Sequence, residues 1–221
     1  MNENLYKLWE EDVVNTLKKL KIDFDKNEVI KENYKGFSAW YSNLIFKPKL
    51  LLIGINPGTG YDMKGKININ PDKKLSYLHG YNNFRLAEET IKVFKDANLF
   101  DILEKSTLKT NYHYILTKGT KELNKCIKAM SKEQKDMFMS KSTEWTSQII
   151  EMFKPEYILC EGKRVYDNTT KLFNNRKYIK WENDCGYCLV NNKNYIMGYS
   201  RRYSNIRNKK ALSKMLKQMI N

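Results

Sequence analysis

The sequence predicts an α/β fold: a three-layer α/β/α sandwich with a mainly parallel central sheet. Short aliphatic runs that are each closed by a turn signal are typical of buried parallel strands. Segments with helical spacing of apolar residues separate these runs. A helix between two strands of one sheet implies a crossover connection, which makes the strands parallel. The length of 221 residues suits a single domain over residues 1–221.

The first half of the chain supplies two helices and one strand. Apolar residues recur at helical spacing over residues 4–21, which predicts an amphipathic helix packed on the domain. The run LLLIGIN within residues 49–56 predicts a buried strand, which Pro57-Gly58 ends. Residues 59–75 are polar and rich in Gly, Asn and Lys, which predicts an exposed loop. Helical periodicity returns over residues 84–100.

The second half alternates strands and helices. A charged segment connects its first strand to its first helix, and Lys154-Pro155 ends that helix. Glu161-Gly162 is expected to form a turn. The strands are expected at 106–116, 157–160, 187–190 and 195–200, and the helices at 132–153, 163–173 and 206–220.

The charge balance favours nucleic acid as a partner. The chain has 40 Lys and Arg against 25 Asp and Glu, a net charge of +15, and such a surplus attracts polyanions. A biased base composition of the genome is an alternative source of the lysines. No apolar stretch approaches the roughly 20 residues that cross a bilayer, and the N-terminal residues lack the layout of a signal peptide. We therefore expect a cytoplasmic protein with no membrane partner, and a monomer is favoured.

The four cysteines, at 126, 160, 185 and 188, are too irregularly spaced for a disulfide framework and are expected to be reduced. Only Cys185 and Cys188 have CxxC spacing, and a four-ligand zinc site would need a second pair. The segment DCGYCLV is better interpreted as a turn that runs into a strand. No metal and no cofactor are expected.

Three polar clusters follow predicted strands: Asn56-Pro57-Gly58, Asn111 and residues 200–202. In a doubly wound sheet, ligands bind beyond the carboxyl ends of the strands, so we expect these clusters to converge. An amide is no general base, but the carbonyl of Asn56 can orient a water molecule for a reaction that needs a placed nucleophile. Alternatively, Asn56, Pro57 and Gly58 form a turn that has only a structural role.

The segment LLIGINPG, residues 51–58, is similar to the first active-site motif of the uracil-DNA glycosylase superfamily. The closest pattern is G-[IM]-N-P-G of the mismatch-specific and single-strand-selective branches. The resemblance implies a uracil-DNA glycosylase-like fold and assigns the positioning of the hydrolytic water to Asn56. LKTNY, residues 108–112, resembles the family's later strand end, which implies that Asn111 binds the Watson-Crick edge of a flipped base. A strand-end Asn that caps a turn is the alternative.

GYSRRYSN, residues 198–205, corresponds by position to the family's second motif. The resemblance implies that Ser200 acts in catalysis or contacts a phosphate. It also implies that the basic and aromatic residues around it bind DNA; these are Arg201, Arg202, Tyr203 and Arg207.

The second motif departs from the family because its usual His and Pro are missing. The histidines of the chain are His79 and His113, and a structural role is favoured for His113. Tyr199, Ser200 or a backbone N–H would have to stabilise the leaving base. Otherwise catalysis is weak or absent.

The residue after the motif's Pro is Gly58, where the strictest uracil-specific branch has a bulky aromatic. The resemblance therefore implies a base pocket that accepts thymine or larger 5-substituted pyrimidines. Ile55 is expected to line this pocket, and Tyr61 or Phe84 to stack on the base. The iron-sulfur branch uses four cysteines around the first motif, and no cysteine here precedes residue 126, so a cluster is not expected.

These residues lead to the hypothesis of a monofunctional DNA glycosylase that acts on a flipped uracil-like, mispaired or 5-modified pyrimidine. No lysine stands out as a Schiff-base nucleophile. The alternative is a catalytically inactive nucleic-acid-binding protein of the same fold. A small-molecule enzyme of flavodoxin-like topology is a third interpretation, and the absence of a phosphate-binding glycine motif weakens it.

Overall fold

A computed structural model of the chain describes residues 3–58, 65–79, 85–190, 194–202 and 205–220. The helices of these residues are α1 (Glu3–Lys26), α2 (Glu28–Asn33), α3 (Arg85–Asp96), α4 (Phe100–Lys105), α5 (Thr120–Ala129), α6 (Lys132–Phe153), α7 (Lys163–Thr170) and α8 (Lys209–Ile220). The strands are β1 (Tyr34–Ser38), β2 (Leu50–Gly54), β3 (Ile67–Asn68), β4 (Thr107–Asn111), β5 (Ile115–Thr117), β6 (Tyr157–Glu161), β7 (Arg176–Glu182), β8 (Cys185–Val190), β9 (Asn194–Tyr199), β10 (Arg201–Arg202) and β11 (Asn205–Ile206). None of these helices combines the length and the apolar character needed to cross a bilayer.

The chain forms two compact units. Unit 1 consists of Met1–Trp40, Ile55–Asn70 and Asn111–Met152. Unit 2 consists of Tyr41–Gly54, Pro71–Thr110 and Phe153–Asn221. Each unit is built from several segments of the chain, and the expectation of a single domain stays a prediction.

Unit 1 combines a small sheet with long helices. The sheet has the order β3-β1-β5, in which β1 is parallel to β3 and antiparallel to β5. One face of α1 is buried at helical spacing, which confirms the predicted amphipathic helix. Trp145 of α6 donates a hydrogen bond from Nε1 to Asp12 of α1 at 2.7 Å, and its ring stacks on Tyr114 with centroids 5.3 Å apart. The two long helices of unit 1 are thereby joined.

Unit 2 is built on a six-stranded sheet of the order β4-β2-β6-β9-β8-β7. Strands β4, β2 and β6 are parallel, and β6 is parallel to β9. Strands β8 and β7 follow as an antiparallel hairpin on the β9 side. All five residues of β2 are buried, as expected for an inner parallel strand. The predicted α/β class with a mainly parallel sheet is confirmed.

Helices cover both faces of the unit 2 sheet. Successive strand residues point to opposite faces. Leu50 and Leu52 of β2 pack in one buried cluster with apolar residues of α3, α4 and α8. On the opposite face, Gly198 of β9 lies against the ring of Tyr166 in α7. This arrangement fits the three-layer organisation that the sequence predicts.

Several element boundaries differ from the prediction. The single strand expected at 106–116 is two strands, because β4 belongs to the unit 2 sheet and β5 pairs with β1. Helix α5 lies in the segment that was expected to be a charged connection. Charged residues surround its three buried positions, Leu123, Cys126 and Ile127, and obscure their helical spacing. Strand β7 was not predicted either, since six of its seven residues are exposed and no apolar alternation marks it.

Other helices end or begin at different residues from those expected. The periodic segment at 84–100 ends as α3 at Asp96, and α4 follows as a separate helix. Helix α7 ends at Thr170, and α8 begins only at Lys209, because the preceding Asn205–Ile206 forms β11. Helix α6 has the bounds that were predicted.

We expect Gly198→Ala to destabilise the fold. A Cβ atom at this position would lie 2.6 Å from Cβ and 2.8 Å from Cγ of Tyr166, and overpacking of a core typically costs about 1–3 kcal/mol. Urea unfolding measures the loss. Gly58→Ala is the matched control, because a Cβ there meets no atom of the described residues within 4 Å. Equal stability of the two variants would show that α7 moves away from β9 without cost.

Candidate functional site

The Asn56-Pro57-Gly58 turn is fixed to a neighbouring segment of unit 1 at two points. Ile55, directly before the turn, accepts a backbone hydrogen bond from His113 at 3.0 Å. Pro57 accepts one from the backbone of Thr117 at 3.4 Å, and Gly58 forms a parallel bridge with the same residue. The segment that follows Asn111 therefore runs beside the first motif. Ile55, Asn56, Gly58 and Asn111 all belong to unit 1.

The hydrogen bonds of Asn56 determine which way its side-chain amide points. Nδ2 donates to the carbonyl of Pro57 at 3.0 Å and to Oγ1 of Thr117 at 2.9 Å, with a longer contact of 3.5 Å to the carbonyl of Ile115. The Thr117 hydroxyl donates its own hydrogen to the carbonyl of Gly119 at 2.8 Å, so it can only accept from Asn56. The oxygen Oδ1 is thus held away from these acceptors. The half-buried side chain has a fixed acceptor for a water molecule or a ligand.

Space is open at Gly58, two residues after Asn56. Gly58 is exposed, and a Cβ built on it would meet no heavy atom of the described residues within 4 Å. Steric crowding by the described residues does not require a glycine at position 58. Its effect is to leave the surface after Pro57 without a side chain.

Asn111 is the last residue of β4, and only 4% of it is exposed. Within the described part of the chain, its carboxamide makes no hydrogen bond to another residue. A ligand that offers one donor and one acceptor would satisfy it, because a carboxamide presents both.

His113 is a core residue of unit 1. Its side chain is fully buried, stacks on Phe138 with centroids 4.9 Å apart, and shares a hydrogen bond of 2.8 Å between Nδ1 and Oγ of Ser142. This environment agrees with the structural role favoured from the sequence.

The second motif lies in unit 2, where the backbone of Ser200 is fixed on both sides. The Ser200 N–H donates to the carbonyl of Asp184 at 2.6 Å, and its carbonyl accepts from the Arg207 N–H at 3.1 Å. Arg201 and Arg202 form β10, which pairs with β11. The structure therefore brings Ser200, Arg201, Arg202 and Arg207 together. Tyr61, Phe84 and Tyr203 lie outside the described residues, and the convergence of the unit 1 and unit 2 residues on one site stays a prediction.

A buried ionic cluster at the carboxyl ends of the unit 2 strands was missed by the sequence analysis. Glu161, the last residue of β6, accepts from Nζ of Lys109 at 2.6 Å and from the hydroxyl of Tyr77 at 2.6 Å. The Tyr199 hydroxyl lies 3.4 Å from the same carboxylate. Nζ of Lys109 also lies 4.3 Å from the centroid of the Tyr77 ring, a cation–π distance.

Opposite charges offset part of the cost of burying this cluster. Burial acts to raise the pKa of the Glu161 carboxyl, but the positive charges of Lys109 and Arg201 outweigh it, so the pKa lies below its ordinary value. Burial lowers the pKa of the Lys109 ammonium, and the carboxylate offsets part of that effect. Two features of the sequence could have indicated this buried pair: an acidic residue directly after YILC, and a lysine inside the predicted strand that contains TLKTN. We interpreted Glu161 as part of a turn instead.

Cys185 and Cys188 lie in β8, as the interpretation of DCGYCLV predicted. Residues three apart in a strand point to opposite faces, so these thiols cannot bind one metal ion together. Burial raises the pKa of Cys185 to about 12, which keeps it protonated. No group of three potential metal ligands occurs among the residues that the structure describes.

No protein-family model matches the chain, and no curated protein matches it.

We expect Lys109→Met to destabilise the protein by about 3–5 kcal/mol, because it leaves the Glu161 carboxylate buried without its counter-charge. Glu161→Gln should be similarly costly, since it leaves the ammonium uncompensated. The double variant should be less destabilised than the sum of the two single variants, by about 0.5–3 kcal/mol. Urea unfolding of the four proteins measures this coupling.

Lys105→Met is the control for that cycle. Lys105 pairs with Asp101 at 3.0 Å on an exposed helix surface, so its removal should leave the free energy of unfolding unchanged within error. Additive effects of the Lys109 and Glu161 substitutions would contradict a coupled buried pair.

Proposed function

We propose that this chain is a monofunctional DNA glycosylase with a uracil-DNA glycosylase-like fold. Its substrate is a flipped uracil-like, mispaired or 5-modified pyrimidine nucleotide, and it hydrolyses the N-glycosidic bond. The observation that carries the proposal is the fixed amide of Asn56, whose Nδ2 is bonded to Pro57 and Thr117 while Oδ1 is left as an acceptor. The proposal includes a cytoplasmic location and DNA as the partner.

In this reaction, Oδ1 of Asn56 accepts a hydrogen bond from a water molecule and orients its oxygen toward C1′ of the sugar. The C1′–N bond breaks with its electron pair going to the base, and the water oxygen forms the new bond to C1′. The proton that the water loses goes to solvent or to the departing base. Because positive charge develops on the sugar before attack, a placed water is sufficient and a strong base is not needed.

Asn111 is suited to hold the base in this scheme. A pyrimidine of the uracil type presents an acceptor oxygen next to an N–H donor, and the carboxamide of Asn111 offers the complementary donor and acceptor. Only 4% of Asn111 is exposed, which limits competition from water. Base binding would therefore satisfy an amide that makes no hydrogen bond within the described residues.

Two features of the lysine and arginine residues agree with the proposal. Lys109 is buried and its Nζ is engaged with Glu161 at 2.6 Å, so it is not placed as an accessible Schiff-base nucleophile. Arg201 and Arg202 follow Ser200 directly as β10, and we assign them to the neutralisation of a phosphate backbone. The net charge of +15 supports the same partner.

A catalytically inactive DNA-binding protein of the same fold is the second candidate. It is favoured by the segment Gly198–Asn205, which contains no histidine, and by the burial of His113 in the core of unit 1. A glycosylase without a strong donor to the leaving base loses on the order of 10²-fold or more in rate. Salt-sensitive DNA binding without abasic-site formation, unchanged in Asn56→Ala, would favour this candidate.

We expect Asn56→Ala to lower the rate of abasic-site formation on the order of 10²-fold, because the nucleophilic water is no longer positioned. The assay uses oligonucleotides that carry uracil, thymine opposite guanine or a 5-modified pyrimidine, in single strands and duplexes, with alkaline cleavage at the abasic site. Asn174→Ala, a substitution of an exposed Asn, should retain full activity.

A second pair of variants separates water positioning from simple loss of a side chain. Thr117→Val removes the acceptor that orients the Asn56 amide, whereas Thr117→Ser keeps it. Thr117→Val should lower kcat, whereas Thr117→Ser should keep kcat close to the wild-type value. Failure of the wild-type protein to form abasic sites, where a known glycosylase does, would refute the proposed activity.

We expect Gly58→Phe to change substrate selectivity. The space beside Gly58 is open, and an aromatic ring placed there would meet a 5-methyl group. Activity on thymine should fall at least about 10-fold relative to activity on uracil, in the range that a misplaced methyl group produces. The ratio of kcat/KM for the two substrates is the measurement. Gly58→Ala, which adds too little volume, serves as the control, and equal losses on both bases would contradict the predicted pocket.

A further inference from the structure

Unit 2 contains an open cavity of about 410 Å³. It lies where α3 and α8 begin, beside the hairpin of β10 and β11 and the turn between β7 and β8. Charged side chains dominate its lining. The cations are Arg85, Arg202, Arg207 and Lys209, and the carboxylates are Glu89 and Asp184.

The positive charges of this cavity exceed the negative ones. Glu89 binds two of the cations, with Oε1 at 3.3 Å from Nε of Arg85 and at 3.0 Å from Nζ of Lys209. Asp184 lies 3.5 Å from Arg207. Arg202 has no carboxylate partner within the described part of the chain. Four cations against two carboxylates leave two positive charges in an open concave site.

The buried carboxylate of Glu89 anchors one part of the cavity lining. Glu89 is buried, and its second oxygen accepts the backbone N–H of Ile206 at 2.6 Å, which holds β11 against α3. Burial acts to raise the pKa of the Glu89 carboxyl, but this hydrogen bond and Lys209 outweigh it, so the pKa lies below its ordinary value. The carboxylate therefore stays charged and keeps both Arg85 and Lys209 in place.

The N-terminus of α8 adds to the positive potential. Lys209 is the first residue of this helix, which has 12 residues. The N-terminal end of a helix carries a partial positive charge and favours anions. This helix end reinforces the excess of cationic side chains.

We propose that this cavity is a phosphate-binding site that takes one backbone phosphate of a nucleic acid. Arg202 supplies the bidentate contact, since its guanidinium matches two phosphate oxygens. Nucleic acid as the source of the phosphate rests on the proposed function. The binding site itself depends only on the cavity and its charges.

The test compares Arg202→Gln and Arg85→Gln with the control Arg176→Gln. Arg176 is an exposed residue of β7, and its substitution removes the same charge elsewhere in unit 2. In the first arm, calorimetry measures the binding of inorganic phosphate at constant ionic strength. In the second arm, the dissociation constants for a short single strand and a duplex are measured across salt concentrations. Thermal unfolding of each variant verifies that it is folded.

We expect Arg202→Gln to abolish phosphate binding and to weaken DNA binding about tenfold, the loss of one charge-assisted contact. The slope of log K against log salt should fall by about 1. Arg85→Gln should have a smaller effect in the same direction, and Arg176→Gln should match the wild type.

The outcomes separate the two proposals. If Arg202→Gln behaves as Arg176→Gln in both arms, the phosphate site is refuted, even where the protein binds DNA and forms abasic sites. If the wild type binds inorganic phosphate through Arg202 but binds no DNA, the anion site is supported. Nucleic acid is then refuted as its source, and the proposed glycosylase function fails with it.

Discussion

The ionic cluster at the carboxyl ends of the unit 2 strands depends on one buried carboxylate, that of Glu161. Lys109, Tyr77 and Tyr199 reach it from three other parts of the chain. A buried charge tolerates few arrangements, because any lost partner leaves it uncompensated. The carboxyl ends of β4, β6 and β9 are therefore held in one arrangement. Ser200 and Arg201, which follow β9 directly, begin from this fixed edge.

A related principle governs the first motif in unit 1, although no charge is involved. The donor side of the Asn56 amide is used by Thr117 and Pro57, and the acceptor side is the remaining one. The Asn56 side chain is thus oriented because its donor atom Nδ2 is fully engaged, which leaves its acceptor atom Oδ1 for another molecule. Such a site positions a neutral molecule and has little power to remove a proton from it, which suits chemistry in which bond breaking runs ahead of nucleophilic attack.

The sequence predicted the elements whose signal is local. β2, β6 and α6 were found because a continuous apolar run or a clear helical period marks each of them. The functional pairings could not be predicted in the same way. The bond from Asn56 to Thr117 joins residues 61 positions apart, and the pair of Lys109 and Glu161 joins residues 52 apart. Glu161 was misassigned because Glu-Gly after an aliphatic run is also a turn signal, and only its burial distinguishes the two cases.

Strand β7 has a consequence for how the protein behaves in concentrated solution. It is an edge of the unit 2 sheet, and an exposed edge invites strand addition from another chain. Its register shifts between Lys177 and Lys180, where an extra residue bends the strand. The flanking lysines place positive charge along the same edge. A second molecule that approached this edge in an extended conformation would meet an interrupted ladder and like charges, both of which oppose strand addition.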